Sequence, residues 1–307
     1  MTVVETEKYA GYEAACAWHH RQPFDGVEQQ PRVIMRSDAV HLAWAPDDSV
    51  VQPCWMYVST LRVNAGTFYV QPKEWFDPGN HPGPEPYYGL RGTLLLGNPD
   101  TADVIEINAG DAANIPAFAY HIAFNLRDTE AEILWWVPGE MHPDDFKKKI
   151  HEGKGKWYER EPVTLNGTHD RNEGFPSHLD DLAKWPPERP TKGPLDMQHL
   201  PRSTWLHTFE GTDRRKTILV SFFYCDERIR CAKVTMPKWG ESQKNSGDYE
   251  RLIYVESGTL SVNLPKTGTG LIAKPGDMVF VPPFTEHSLQ AIEDEPVTAI
   301  SAWAYGV

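Results

Sequence analysis

"DPGNHPGPEPYYGLRG" (Asp77–Gly92) and, a little further on, "GDAANIPAFAYHIAFN" (Gly110–Asn125) are the stretches from which the rest of the chain can be read. His81 and Glu85 stand four apart where a Pro/Gly-rich loop turns into a strand-like run, and His121 arrives on a later strand. Two imidazoles and one carboxylate are the donor set of a non-haem metal centre that keeps coordination positions open. The second stretch has a counterpart near the far end of the chain, "GDMVFVPPFTEHS" from Gly276. Gly110, Asp111, Pro116, Phe118 and His121 reappear as Gly276, Asp277, Pro282, Phe284 and His287, all offset by 166 (276 − 110 = 287 − 121 = 166), and Gly92 reappears as Gly258. The chain is therefore an internal duplication.

Outward from these motifs, the sequence from Pro31 onward is cut into short runs of β-branched and aromatic residues, separated by turn residues such as Asp47-Asp48 and Asn64 to Gly66. Short strands at that spacing indicate a sandwich or barrel. The middle is different in kind. "HPDDFKKKIHEG" (142–153) has acidic residues in its first turn and lysines later, and "SHLDDLAKW" (177–185) opens on a serine cap, so both are expected to be helices. "PPERPTKGP" (186–194) can be neither helix nor inner strand. The expected organisation is a helical arm over 1–30, a metal-binding barrel over 31–142, a helical and Pro-rich connector over 143–201, and a second, degenerate barrel over 202–307.

These motifs resemble those of the bicupins of the cupin superfamily, whose first motif reads G-x5-H-x-H-x3,4-E-x6-G and whose second reads G-x5-P-x-G-x2-H-x3-N. The chain matches the first at His81, Glu85 and Gly92 and the second at Gly110, Pro116, His121 and Asn125. It departs at Phe118, where the family has glycine, and at Gly79, where the leading histidine falls. In the second copy Asn245, Gly247 and Arg251 occupy the ligand positions and only His287 survives. The resemblance implies an all-β fold of two tandem cupin barrels (double-stranded β-helix, jelly roll), and it covers about 55–140 and 205–306. It also implies a metal in the first barrel alone. Some bicupin ring-cleaving dioxygenases are similar in ligand pattern, with a His/Glu/His set in one barrel and no metal in the other.

The chemistry follows from the ligand set. A two-His-one-carboxylate face leaves up to three positions for water, substrate and dioxygen. Gln71 and Asn80, close upstream, carry amide oxygens that would serve as an extra ligand. Each imidazole needs its second nitrogen oriented by a partner, and Asn125, Tyr87 or a backbone carbonyl are the candidates. Side chains alternate along a strand, so if Glu85 points inward then Tyr87 and Arg91 do too, and if His121 points inward so does Asn125. Tyr87, Tyr88 and Tyr120 are candidate proton carriers; Arg91 would pair a substrate carboxylate or phenolate, or else form a salt bridge within the protein. The degenerate site, with Gln243, Asn245, Arg251 and His287, has one imidazole and a cation that repels metal. It is expected to be structural or dimer-forming, with a small-anion pocket on Arg251 and His287 as the functional alternative.

A net charge of −13 and the lack of a basic run argue against nucleic acid or an anionic membrane surface as partner. No apolar run approaches the ~20 residues of a membrane helix, and the N-terminus is not built like a secretory signal, so a cytoplasmic protein is expected. Cys16, Cys54, Cys225 and Cys231 include no C-x-x-C pair and read as reduced thiols. The leading functional expectation is a non-haem Fe(II) dioxygenase that cleaves a small aromatic, phenolic or related carbonyl substrate with O2. The first rival is a non-redox lyase, isomerase or decarboxylase of a small organic acid using Mn, Zn or Ni; the second is a non-enzymatic small-molecule-binding cupin. A homodimer is expected from family habit.

Overall fold

A computed structural model describes residues 30–44, 52–139 and 196–305, apart from 61, 80, 82, 99, 100, 102, 212 and 215. The expected helical arm up to residue 29, both connector helices, the Pro-rich segment, Cys16 and Asn80 lie outside the described residues. Among the described residues are twenty-one strands and two single-turn 3-10 segments, Arg36–Asp38 and Arg202–Thr204.

The strands form two barrels, each a large sheet facing a small one, and every pairing is antiparallel. In hydrogen-bonded order, the large sheet of the first barrel runs Gln198–Leu200, Ala112–Ile115, Glu85–Arg91, Ala131–Pro138, Val63–Val70, Gln52–Ser59, Val40–Trp44. Its small sheet runs Trp75–Gly79, His121–Phe124, Thr93–Asn98, Asp103–Asn108. The large sheet of the second barrel runs Arg32–Ile34, Met278–Val281, Tyr249–Ser257, Val297–Tyr305, Ile229–Met236, Ile218–Cys225, Leu206–Glu210. Its small sheet runs Thr269–Ala273, Leu260–Leu264, Ser288–Ala291.

The offset of 166 relates the two barrels strand by strand, with Val63–Val70 matching Ile229–Met236 and Ala112–Ile115 matching Met278–Val281. It also reveals an exchange. Arg32–Ile34, ahead of the first barrel in sequence, pairs with Met278–Val281 of the second; Gln198–Leu200 pairs with Ala112–Ile115 of the first (198 − 32 = 280 − 114 = 166). Each barrel is completed by a strand from the other half of the chain, which the linear division at 31 and 202 does not convey. The turns repeat as well. Gly92 at φ +71 and Gly258 at φ +74 need the left-handed region, and an added Cβ would come within 2.3 Å of the Glu130 carbonyl oxygen or 2.5 Å of that of Pro296.

The core follows from the two-residue period of strands whose two faces are both covered. Along Ala131–Pro138, Ile133, Trp135 and Val137 point into the first barrel, whereas Leu134 and Trp136 point to a second apolar layer between the barrels. A third layer, including Ile253, Val255, Val279 and Val281, fills the second barrel. In the middle layer the Phe223 ring lies 5.8 Å from Tyr88, 6.3 Å from Trp136 and 5.5 Å from Trp205. Polar contacts seal its edge: Lys233 Nζ donates to the Tyr88 hydroxyl and to Glu256, both at 2.9 Å, and the Tyr57 hydroxyl donates to the Gly276 carbonyl at 2.8 Å. Phe223→Ala leaves a void facing three aromatic rings from both barrels. It should lower the unfolding free energy by about 3–5 kcal/mol, measured by denaturant titration, with the two barrels losing structure together.

Candidate metal centre

Three sequence features bring the donors to one end of the first barrel. Glu85 opens its strand opposite Ile115, His121 opens the neighbouring small-sheet strand opposite Gly79, and His81 sits in the loop between these edges. The Phe118 N–H donates to the His81 carbonyl at 2.7 Å, tying that loop to the turn before His121. Phe118 itself adopts φ +61, with its ring exposed, so the turn keeps the left-handed geometry that glycine supplies in the family motif.

Glu85 Oε2 lies 3.1 Å from His121 Nε2 and 3.5 Å from His81 Nε2, and one donor atom from each residue falls within 4.8 Å of the others. All three side chains are buried, at 4% (His81), 4% (Glu85) and 3% (His121) exposure, where water cannot solvate an unpaired carboxylate. Glu85 Oε2 is sealed from solvent and has no hydrogen-bond partner by geometry, with His121 Nε2 3.1 Å away. Burial alone would raise the Glu85 pKa, yet the facing His81 and His121 imidazoles, with a smaller contribution from Tyr87, hold it below the ordinary carboxylate range. On its other side, His121 Nδ1 faces the Ala119 carbonyl at 3.3 Å, which favours the Nδ1–H tautomer and leaves the Nε2 lone pair directed at the centre. An orphaned carboxylate oxygen facing two imidazole nitrogens fits a divalent cation. Among the described residues this is the one such cluster of His, Cys, Asp or Glu.

Of the other residues expected at the site, the structure brings Tyr87 to it. Its buried ring meets that of His121 edge-on at 6.4 Å and that of Phe68 at 5.4 Å. Tyr120 is half-buried just ahead of His121. Arg91 is not at the site: it is six residues beyond Glu85, about 20 Å along an extended strand, and its exposed guanidinium pairs with Glu130 and, at 3.7 Å, with Glu132. Its alternative use as an internal salt bridge is the one observed. Gln71 is also turned away, donating its amide to Glu130. Asn125 does not orient an imidazole. The strand ends at Phe124, and the Asn125 amide instead donates to the Val70 and Thr129 carbonyls, both at 2.8 Å, bracing the next turn. The sequence reads Cys54 only as a reduced thiol, whereas the structure places it in the barrel interior near Glu85; burial pushes its thiol up to about 12, so it is protonated at neutral pH. Inward alternation along Gln52–Ser59 was the available signal.

The second barrel repeats the framework with different chemistry. The Phe284 N–H donates to the Gly247 carbonyl at 2.7 Å, and His287 Nδ1 faces the Thr285 carbonyl at 2.8 Å, both at the offset of 166 from their first-barrel equivalents. Arg251 stands in place of Glu85, and its Nη1 donates to His287 Nε2 at 3.0 Å, so a guanidinium occupies the place of a cation. Gln243 is exposed and donates to the Gly211 carbonyl at 3.3 Å, and Asn245 accepts from the Tyr249 hydroxyl at 2.7 Å. Burial lowers the Arg251 pKa to about 10, still protonated at neutral pH. Burial, then the Arg251 charge, lowers that of His287 to about 4. Above pH 6.5 His287 is neutral whether folded or unfolded, but below it the unfolded chain takes up a proton that the folded site refuses until about pH 4. That difference should remove about 3 kcal/mol of stability between these limits. Unfolding titrations across that range should give a profile flatter by this amount for His287→Gln than for the unaltered chain.

Residues 232–303 match the family profile described as a cupin domain. A comparison with curated protein sequences finds no match. Among solved structures, the chain is similar to the Lactobacillus farciminis oxalate decarboxylase formate complex, with TM-score 0.60 and 15% identity, covering 93% of this chain and 89% of that one. Similarity to a Bacillus subtilis oxalate decarboxylase studied for its Mn(II) centres gives TM-score 0.59 and 15% identity, covering 92% and 80%. With AerE from Microcystis aeruginosa the TM-score is 0.54 and the identity 9%, covering 87% and 97%. At these identities the likeness shows fold. No helix among the described residues is long and apolar enough to cross a membrane. With a cupin-domain match over residues 232–303, a repeat and two barrels, the chain has a bicupin-like fold.

Proposed function

We propose that the chain is a metal-dependent enzyme with a single centre, at His81, Glu85 and His121, and that it is a non-redox lyase or decarboxylase of a small organic acid. The observation carrying the metal is the buried Glu85 Oε2 directed at two imidazole nitrogens without a hydrogen bond of its own. The likeness to oxalate decarboxylases over nine-tenths of the chain supports the reaction class. Mn(II) is the working ion under this reading. Held by His81, Glu85 and His121, a divalent ion would supply Lewis acidity toward a substrate carboxyl.

The chain's own residues supply the rest. The near-zero exposure of His81, Glu85 and His121 excludes bulk water from the reacting carbon. Tyr87, buried beside His121, holds a hydroxyl proton for the carbon that loses CO2. The Ala119 carbonyl holds His121 in the tautomer that leaves Nε2 as the donor. The dioxygenase reading, with Fe(II), keeps one specific support: three protein ligands leave up to three positions for substrate and O2.

Protein purified without chelators should carry one divalent ion per chain, and His81→Ala and Glu85→Gln should each lose it, by elemental analysis. Across a panel of small organic acids, turnover should release CO2 without stoichiometric O2 uptake. Uptake matching product would establish the dioxygenase instead, and a bound ion without any turnover would leave a binding protein. Tyr87→Phe should keep the ion but lower the rate by about 10²–10⁴-fold.

A further inference from the structure

Arg251 is 3% exposed, yet among the described residues no acid forms an ion pair with it. Its guanidinium offers five N–H donors. Nε donates to the Ser301 hydroxyl at 3.1 Å and Nη1 to His287 Nε2 at 3.0 Å, so both direct partners are neutral acceptors, and the Glu210 carboxylate acts on the charge without forming an ion pair. The Nη2 end has no protein partner among the described residues, and it is not among the polar atoms sealed from solvent without one. Elsewhere in the molecule, partly buried cations meet carboxylates, as Lys233 meets Glu256 at 2.9 Å and Arg36 meets Glu132 at 3.3 Å. A buried guanidinium with no carboxylate in contact and an open Nη2 end offers a place for an anion from outside.

The surroundings narrow the class of anion. Trp303 lies against the guanidinium, 4.6 Å from its carbon to the ring centre, and packs against Phe222 at 5.6 Å. Tyr249 and Tyr305, both half-buried, meet edge-on at 5.8 Å. The Tyr249 ring fills the space that a side chain at position 247 would need, since a Cβ there would fall 2.4 Å from it. One guanidinium in contact with two neutral acceptors suits a monoanion, and the nearby Glu210 charge adds to the cost of a phosphate dianion. The planar fork of a guanidinium matches a carboxylate in two parallel N–H···O bonds, and aromatic neighbours favour a flat apolar body behind it.

We propose that the second barrel binds a small monocarboxylate, preferentially an aromatic one, on the Nη2 side of the Arg251 guanidinium. The site is independent of what the first barrel catalyses.

Sodium benzoate titrated into the metal-loaded full chain, with sodium chloride holding ionic strength constant, tests this. Binding should give a saturable change in tryptophan emission, through Trp303, and a rise in melting temperature that chloride alone does not produce. Arg251→Met should weaken benzoate on the order of a hundredfold or more. Arg251→Lys, which keeps the charge and loses the fork, should weaken it about tenfold and serves if the methionine variant fails to fold. His81→Ala, which strips the first-barrel centre, should leave benzoate binding unchanged. Absence of saturation in the unaltered chain, undiminished binding in both Arg251 variants, or loss of binding with His81→Ala would each overturn the proposal.

Discussion

Glu85 Oε2 lies 3.1 Å from His121 Nε2 and 3.5 Å from His81 Nε2 with almost no water about it, and much of the first barrel serves to keep it there. A carboxylate in such surroundings is tolerable only where cations or donors face it. The strand ladder to Ala112–Ile115 fixes its backbone, the Phe118-to-His81 hydrogen bond fixes the loop, and the Ala119 carbonyl fixes one imidazole. The supports are backbone groups and packed side chains rather than a polar network, so the position of the site depends on the barrel being closed.

Closure itself depends on the duplication. Each large sheet ends in a three-residue strand from the opposite half of the chain, and the two exchanged strands are equivalent by the same offset. Separating the barrels would therefore open both at Ala112–Ile115 and Met278–Val281, the strands on which Glu85 and Arg251 are laddered. The aromatic layer around Phe223 strengthens this coupling by burying the outer face of each large sheet against the other.

The repeat, its barrels and the three donors were legible in the sequence because they rest on local spacing: glycines at turns, a histidine and a glutamate four apart, and a constant offset. The failures have a common physical origin, in reasoning from alternation past the point where it holds. Alternation puts Arg91 on the same face as Glu85, but a face is not a location, and the far end of the strand carries a bulge between Gly89 and Arg91. Asn125 continues the inward series from His121 only if the strand continues, and it stops at Phe124. The exchange of Arg32–Ile34 and Gln198–Leu200 was hidden because three residues give no period, and their partners lie far away in sequence.

The two barrels carry different chemistry on one framework. Exchanging glutamate for arginine at the equivalent of position 85 inverts the charge, and the guanidinium then binds the surviving imidazole directly, as a cation would. That leaves no reason to retain a second histidine, and at its position Gly247 admits the Tyr249 ring, which now occupies the space. The turn around it is unchanged: Phe284 keeps φ +59 where Phe118 has φ +61, and its N–H still reaches the carbonyl of residue 247. A first-barrel donor set there would require the glutamate, the histidine and removal of the tyrosine ring together, since a side chain at position 247 meets that ring. The two barrels thus place opposite charges at equivalent positions, a carboxylate in the first and a guanidinium in the second, each facing the equivalent imidazole.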